Sequence, residues 1–241
     1  DDYRAQMFRY TNSFKEARFL RAYFYFNLVR AYGDVPYFTE MVTTDQVNSL
    51  TRTPAQEIFN AIIAECDKLS TELPADYTKL GLDGIAPAEN GRVTCYAALA
   101  LKARAALYAA SPLFNPENNK DLWRRAAEAN KEVIETCTAN GFKLSKYSEL
   151  WGPNNWSNNE MIFVRRYNGN ISTLEEYNFP MGVPGGNSGN CPTQNMVDAY
   201  EMKATGKMWN ETGSGYDASN PYAGRDPRFD MTIVKLSLIH I

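Results

Sequence analysis

The segment from Glu16 to Glu40, EARFLRAYFYFNLVRAYGDVPYFTE, constrains the fold of this chain more than any other. Its helical part, Ala17–Tyr32, has four consecutive aromatic residues in its middle and only four polar side chains. Those polar side chains fall on two roughly opposite sides of a helix, so apolar residues surround nearly all of it. We therefore predict a helix packed from several sides, with Phe19, Tyr23 and Phe26 nearly inaccessible. The run is too short and too rich in arginine to span a bilayer.

Three further helices follow from periodicity and from start and stop signals. Thr53-Pro54-Ala55-Gln56 reads as a capping box that starts a helix ending before Pro74. A third helix, about Thr94 to Ser111, holds eight alanines, which let two helix backbones approach closely. A fourth begins at Asp121, and its predicted inner face consists of Trp123, Ala126, Ala127, Val133, Ile134 and Cys137.

The third and fourth helices together are typical of a tetratricopeptide-type hairpin, although the strict repeat length of that motif is not met. We predict a mainly α chain in which residues 1–150 form a tetratricopeptide-like α-superhelix. If more repeats are needed to close that core, an apolar helix face should remain exposed.

Beyond residue 150 the sequence becomes irregular. Turn-forming residues dominate 151–159 and 167–191, a short strand is predicted over Glu160–Val164, and a short helix begins after Pro192. We predict that 151–235 is a loop-rich lobe containing short strands. The last six residues, 236–241, read LSLIHI, which resembles a translated sequencing adaptor, and we predict a non-native tail there.

The composition excludes several functions. The net charge of −3 and the scattered lysines and arginines argue against a nucleic-acid partner. The only histidine is His240, in the predicted tail, and the four cysteines lack metal-type spacing, so neither a metal nor another cofactor is expected. Glu175-Glu176 is the one carboxylate pair considered for glycoside hydrolysis. Adjacent residues seldom converge on one bond, so we predict no enzyme and no catalytic residue.

The loops of the second lobe suit sugar recognition, which uses flat aromatic rings with amides around them. Core packing remains open as an alternative for each ring. The candidate ligand-binding residues are Trp156, Tyr177, Asn187, Asn190, Trp209 and Tyr216.

Four segments closely resemble those of the SusD/RagB family, the glycan-capturing outer-membrane lipoproteins of Bacteroidetes-type bacteria. ARFLRAYFY followed by YGDVP is the signature helix, at Ala17–Tyr25 and Tyr32–Pro36. AALALKARAALYAASPLFN (97–115), PTQNMVDAYEM (192–202) and NPYAGRDPRF (220–229) follow in the family's order.

This resemblance implies a helical-repeat scaffold with a loop-built glycan site. It also implies a SusC-like TonB-dependent transporter as partner, and a lipid anchor holding the protein at the outer-membrane surface. The alternative from another class is a tetratricopeptide-type scaffold that binds only protein. Its groove would be lined by helix residues, whereas here the unusual aromatics lie in loops.

Overall fold

The computed structural model describes residues 2–82, 91–150, 157–165 and 177–235. The chain divides into two compact units, Asp1–Arg166 and Tyr167–Ile241. The helices are α1 (Asp2–Tyr32), α2 (Thr44–Val47), α3 (Ala55–Glu72), α4 (Cys95–Ala110), α5 (Lys120–Ala139), α6 (Gln194–Asp198) and α7 (Pro227–Thr232), with 3₁₀ turns at Tyr77–Lys79 and Tyr147–Leu150. The mainly α, tetratricopeptide-like fold class is confirmed. The domain limits at 150 and 235 stay predictions, and the predicted tail 236–241 lies outside the described residues.

The long helix α1 buries one stripe of side chains. Phe19 and Phe26 are 1% and 2% exposed, as predicted. The Phe26 ring meets Phe59 of α3 and Tyr108 of α4, with ring centroids 6.5 and 5.2 Å away. Tyr23 is 37% exposed, so the prediction for that ring was wrong. Burial on this stripe joins α1 to the two helices beside it.

The opposite side of α1 exposes large apolar side chains along its whole length. Their spacing of three or four residues places most of them on one face. They are Tyr3, Met7, Tyr10, Phe14, Leu20, Phe24, Leu28 and Tyr32. The predicted exposed apolar helix face is therefore confirmed, whereas the prediction that α1 is packed from several sides is wrong among the described residues.

Helices α3, α4 and α5 pack in sequence around the alanines of α4. Ile58, Ile62 and Leu69 of α3 are fully or almost fully buried, and so are Ala98 and Ala105 of α4. Because the alanine side chains of α4 are small, the neighbouring helices can approach it closely. The α4–α5 pair is the hairpin that the sequence predicted.

The start of α3 is capped differently from the prediction. The Thr53–Gln56 capping box is not formed, because the helix begins at Ala55 and Pro54 precedes it. The Asp34 carboxylate, in the turn after α1, accepts a hydrogen bond from the Ala55 N–H at 2.8 Å. The Gln56 side chain donates instead to the carbonyls of Ala109 and Phe114. The residues of the box thus join helices together.

The second unit has little regular structure. Its small core contains Val197 of α6, Phe229 of α7 and Ile233. In the described part of the predicted lobe, β-pairing consists of isolated bridges such as Met202↔Arg225. The strand predicted over Glu160–Val164 is wrong, since those residues form a turn and a bend.

Candidate functional site

A compact loop over residues 202–216 of the second unit is held together by its own polar groups. The Met202 N–H donates to the Lys207 carbonyl at 2.8 Å, and the Thr205 hydroxyl donates to the Ser214 carbonyl at 2.9 Å. Ser214 is buried, and its Oγ donates to the Trp209 carbonyl at 3.1 Å. Because these bonds satisfy the backbone locally, the loop keeps a defined shape without a sheet.

Two of the predicted rings meet on this loop. The Trp209 and Tyr216 rings lie edge to face, with centroids 5.4 Å apart, and both are half-buried. The guanidinium of Arg225 lies over the Tyr216 ring, 5.2 Å from its centroid. The aromatic pair is therefore fixed in place by contact with a cation.

Arg225 is buried and hydrogen-bonds to two other segments of the unit. Only 6% of the residue is exposed. Its Nε donates to the Pro221 carbonyl at 3.1 Å, and its Nη1 donates to the Tyr200 carbonyl at 2.9 Å. The guanidinium thus joins three separate segments of the unit around the aromatic pair.

A second predicted group lies on the glycine-rich segment that follows Tyr177. The Asn190 N–H donates to the Tyr177 carbonyl at 2.9 Å, which closes this segment. The Tyr177 ring is 55% exposed and lies directly over Gly189, where a Cβ would be 2.4 Å from a ring carbon. Glycine is required at 189 for this close approach. The Asn190 side chain donates to Asn178 Oδ1 at 3.0 Å.

The six predicted residues therefore have four outcomes. Trp209 and Tyr216 are brought together, and Tyr177 is joined to Asn190. Asn187 is exposed on the same segment as Asn190. Trp156 lies outside the described residues, as does the Glu175-Glu176 pair. Ligand contact by any of them stays a prediction.

Sequence reasoning missed Arg225 and one further aromatic group. The Tyr222 ring stacks on Phe229, with centroids 5.8 Å apart, and Tyr222 remains exposed. A usable signal was the Asp226-Pro227 pair, because Asp before Pro commonly starts a helix. The Asp226 carboxylate caps α7 by accepting the Arg228 N–H at 2.8 Å. That cap would have placed Phe229 on a helix.

Two ionisable groups with strongly shifted pKa values serve structure. Burial raises the pKa of the Cys66 thiol, in the α3 core, to about 12. Hydrogen bonds from Arg228 lower the pKa of Asp226 to about 2. No cluster of three or more metal-binding side chains occurs in the described ranges. No helix in those same ranges combines the length and apolar character needed to cross a membrane.

Comparison with known proteins identifies the family. A family model described as starch-binding associating with outer membrane matches residues 4–107, and the SusD family model matches residues 151–236. The chain belongs to the SusD/RagB family.

Relatives and solved structures agree with this assignment. A SusD-like protein of Formosa agariphila is 25% identical over 236 residues, covering 89% of this chain and 40% of that protein. The crystal structure of a SusD-like protein from Bacteroides fragilis has 28% identity and a TM-score of 0.67, covering 89% of this chain and 41% of that one. A SusD-like carbohydrate binding protein from the same species has 29% identity and a TM-score of 0.64, covering 90% and 39%. The chain spans about two fifths of the length of these relatives.

Proposed function

We propose that this chain binds glycans through the loop surface of its second unit and performs no catalysis. The observation that carries the proposal is the Trp209–Tyr216 pair, which Arg225 and the hydrogen-bonded loop hold in one geometry. Rings fixed before binding lose little entropy when a ligand arrives. The description of one neighbour as a carbohydrate binding protein supports the same ligand class.

The chemistry of the surface fits a sugar. Pyranose rings offer apolar faces to aromatic side chains, and each hydroxyl both donates and accepts a hydrogen bond. Tyr177 contributes an exposed ring, and Asn187 and Asn190 contribute amides that can do both. Neutral sugars bring no charge, so binding should change little with salt concentration.

The proposal includes the setting implied by the family. The protein would be held at the outer-membrane surface by a lipid anchor and would deliver its glycan to a SusC-like TonB-dependent transporter. Family membership and the outer-membrane description of the matching family model support this setting.

Affinity gel electrophoresis against a panel of plant, algal and host polysaccharides tests the binding. The wild-type chain should be retarded by at least one of them, and replacing Tyr177, Trp209 and Tyr216 together with Ala should abolish that retardation. The matched control replaces Tyr10, Phe14 and Phe24, three exposed rings of α1, and should be retarded like wild type. Equal loss in both triple variants would contradict the assignment of the surface.

A protein-binding scaffold is the second candidate function, and the exposed apolar face of α1 favours it. Under that alternative no polysaccharide retards the wild-type chain. The α1 triple variant would then lose capture of a protein partner, while the loop variant retains it.

A further inference from the structure

A cavity of about 750 Å³ opens within the first unit. Its walls are the 3₁₀ turn Tyr77–Lys79, the start of α4, the turn after α5 and residues 157–164. The volume lies in the range of about 300–1,000 Å³ that is usual for small-molecule sites. All of its described lining residues belong to the first unit.

Tyr96 is the polar group that points to a ligand. The residue is only 8% exposed, and its ring packs edge to face on Phe142 with centroids 4.9 Å apart. It lines the cavity, yet its hydroxyl makes no hydrogen bond to any described residue. The hydroxyl is not among the buried atoms that lack a partner, so it is accessible to a molecule in the cavity. A tyrosine hydroxyl is protonated at neutral pH and can therefore donate a hydrogen bond.

Two amide side chains, of Asn140 and Asn159, line the same cavity. The Asn140 Nδ2 donates to the Thr136 carbonyl at 2.8 Å, which leaves its Oδ1 available as an acceptor. Asn159 is exposed, and within the described residues only its backbone carbonyl is engaged, by the Lys143 N–H at 3.3 Å. The wall therefore presents both donors and acceptors next to the Phe142 ring.

The charges that line the cavity are already compensated. Lys79 Nζ lies 3.2 Å from the Asp76 carboxylate. The Arg92 guanidinium pairs with Glu16 of α1. A charged ligand would have to disrupt one of these pairs, whereas a neutral one would not. The electrostatics therefore favour an uncharged occupant.

We propose that this cavity is a second binding site, specific for a neutral ligand that is rich in hydroxyl groups, such as one or two sugar units. The Tyr96 hydroxyl and the amides of Asn140 and Asn159 hydrogen-bond the ligand hydroxyls, and Phe142 contacts its apolar side. The inference rests on the cavity alone and stands apart from the loop surface.

Hydrogen–deuterium exchange of the 241-residue chain, measured with maltohexaose, cellohexaose and xylohexaose in turn, tests the proposal. At least one probe should slow exchange in peptides covering 74–80 and 140–142. Tyr96→Phe keeps the ring but removes the hydroxyl, and should raise the probe concentration for half-protection about fivefold to tenfold. Tyr108→Phe, on the same helix but away from the cavity, should match wild type. Asn159→Ala changes an exposed side chain and should also weaken protection.

Three results would overturn the proposal. The first is protection confined to peptides of the second unit, which would leave the proposed function intact. The second is equal protection of wild type, Tyr96→Phe and Asn159→Ala. The third is no protection by any probe in any peptide.

Discussion

Phe24 and Phe26 are two residues apart on α1, yet they have opposite environments. Phe26 is buried against α3 and α4, whereas Phe24 is 59% exposed. Phe26→Ala should lower the free energy of unfolding by about 3–5 kcal/mol, because it leaves a cavity in the core. Phe24→Ala should change it by less than about 1 kcal/mol. Urea unfolding measures both, and similar losses in the two variants would contradict the one-sided burial of α1.

Arg225 should control the order of the loop that carries Trp209 and Tyr216. Lysine keeps the charge but cannot donate from two nitrogens to two carbonyls, so Arg225→Lys should release the loop. Hydrogen exchange in residues 202–216 should become faster by about tenfold or more, as expected for lost hydrogen bonds to a charged group. The control is Arg228→Lys, at an exposed ion pair, which should have little effect. Unchanged exchange in Arg225→Lys would contradict the tethering role.

Single residues were predictable where burial follows from local pattern. Phe19 and Phe26 lie at the centre of the buried stripe, and the sequence identified both. Tyr23 was misassigned, because a helix with apolar residues on all sides does not reveal which side faces a neighbour. Arg225 could not be found, because its partners at Tyr200 and Tyr216 are distant in sequence and meet only in the folded unit.

The helices themselves were the most predictable elements, and their orientation was less so. The predicted inner face of α5 contained Trp123 and Ile134, which are exposed. The buried side instead follows the strict three-and-four spacing of Leu122, Ala126, Ala129, Val133 and Cys137. Size and hydrophobicity favoured the large residues, but the close approach of α4 and α5 admits mainly small ones.

The packing of α1 on α3 should weaken in acid. Arg18 Nε lies 2.6 Å from Glu65 Oε1, and this hydrogen bond holds the pKa of Glu65 below its usual value. A carboxylate with a lowered pKa stabilises the fold above its unfolded-state pKa, and that contribution is lost as pH falls through the folded-state pKa. The melting temperature of the wild-type chain should therefore fall more steeply below about pH 4.3 than the melting temperature of Glu65→Gln. Parallel curves for the two proteins would contradict the role of this pair.

The exposed apolar face of α1 should affect how the whole molecule associates. Contiguous exposed apolar side chains favour association between protein molecules. Phe14→Lys combined with Phe24→Lys should reduce self-association in sedimentation velocity without lowering stability, because both side chains are exposed. The control adds two lysines at Thr11 and Ser13, which are exposed but polar, and should associate like wild type. Association unaffected by the first pair would show that this face is not responsible.

At the scale of the whole molecule, the sequence predicted loop-rich segments beyond residue 150 but not their arrangement. Glycines and prolines in 167–191 predicted an irregular loop, and its described part, 177–191, and the loop 202–216 both have little regular structure. Their internal geometry depends on hydrogen bonds such as Ser214 to Trp209 and on the cation over Tyr216. Those contacts join residues that have no periodic spacing in the sequence. Hydrophobic periodicity therefore does not predict them. The cavity beside Tyr96 likewise arises only when several chain segments meet.

Tyr177 offers the most direct test of glycan binding by the second unit, because its ring is exposed and its removal should leave the melting temperature unchanged. Isothermal titration should be performed with the polysaccharide that most retards the wild-type chain. A stacking ring contributes about 0.5–1.5 kcal/mol beyond its buried area, so Tyr177→Ala should raise Kd about threefold to tenfold or more. Tyr177→Phe should bind nearly as well as wild type, and Tyr10→Ala on α1 should bind as wild type. An unchanged Kd in Tyr177→Ala, or an equal loss in Tyr10→Ala, would contradict glycan binding at this surface.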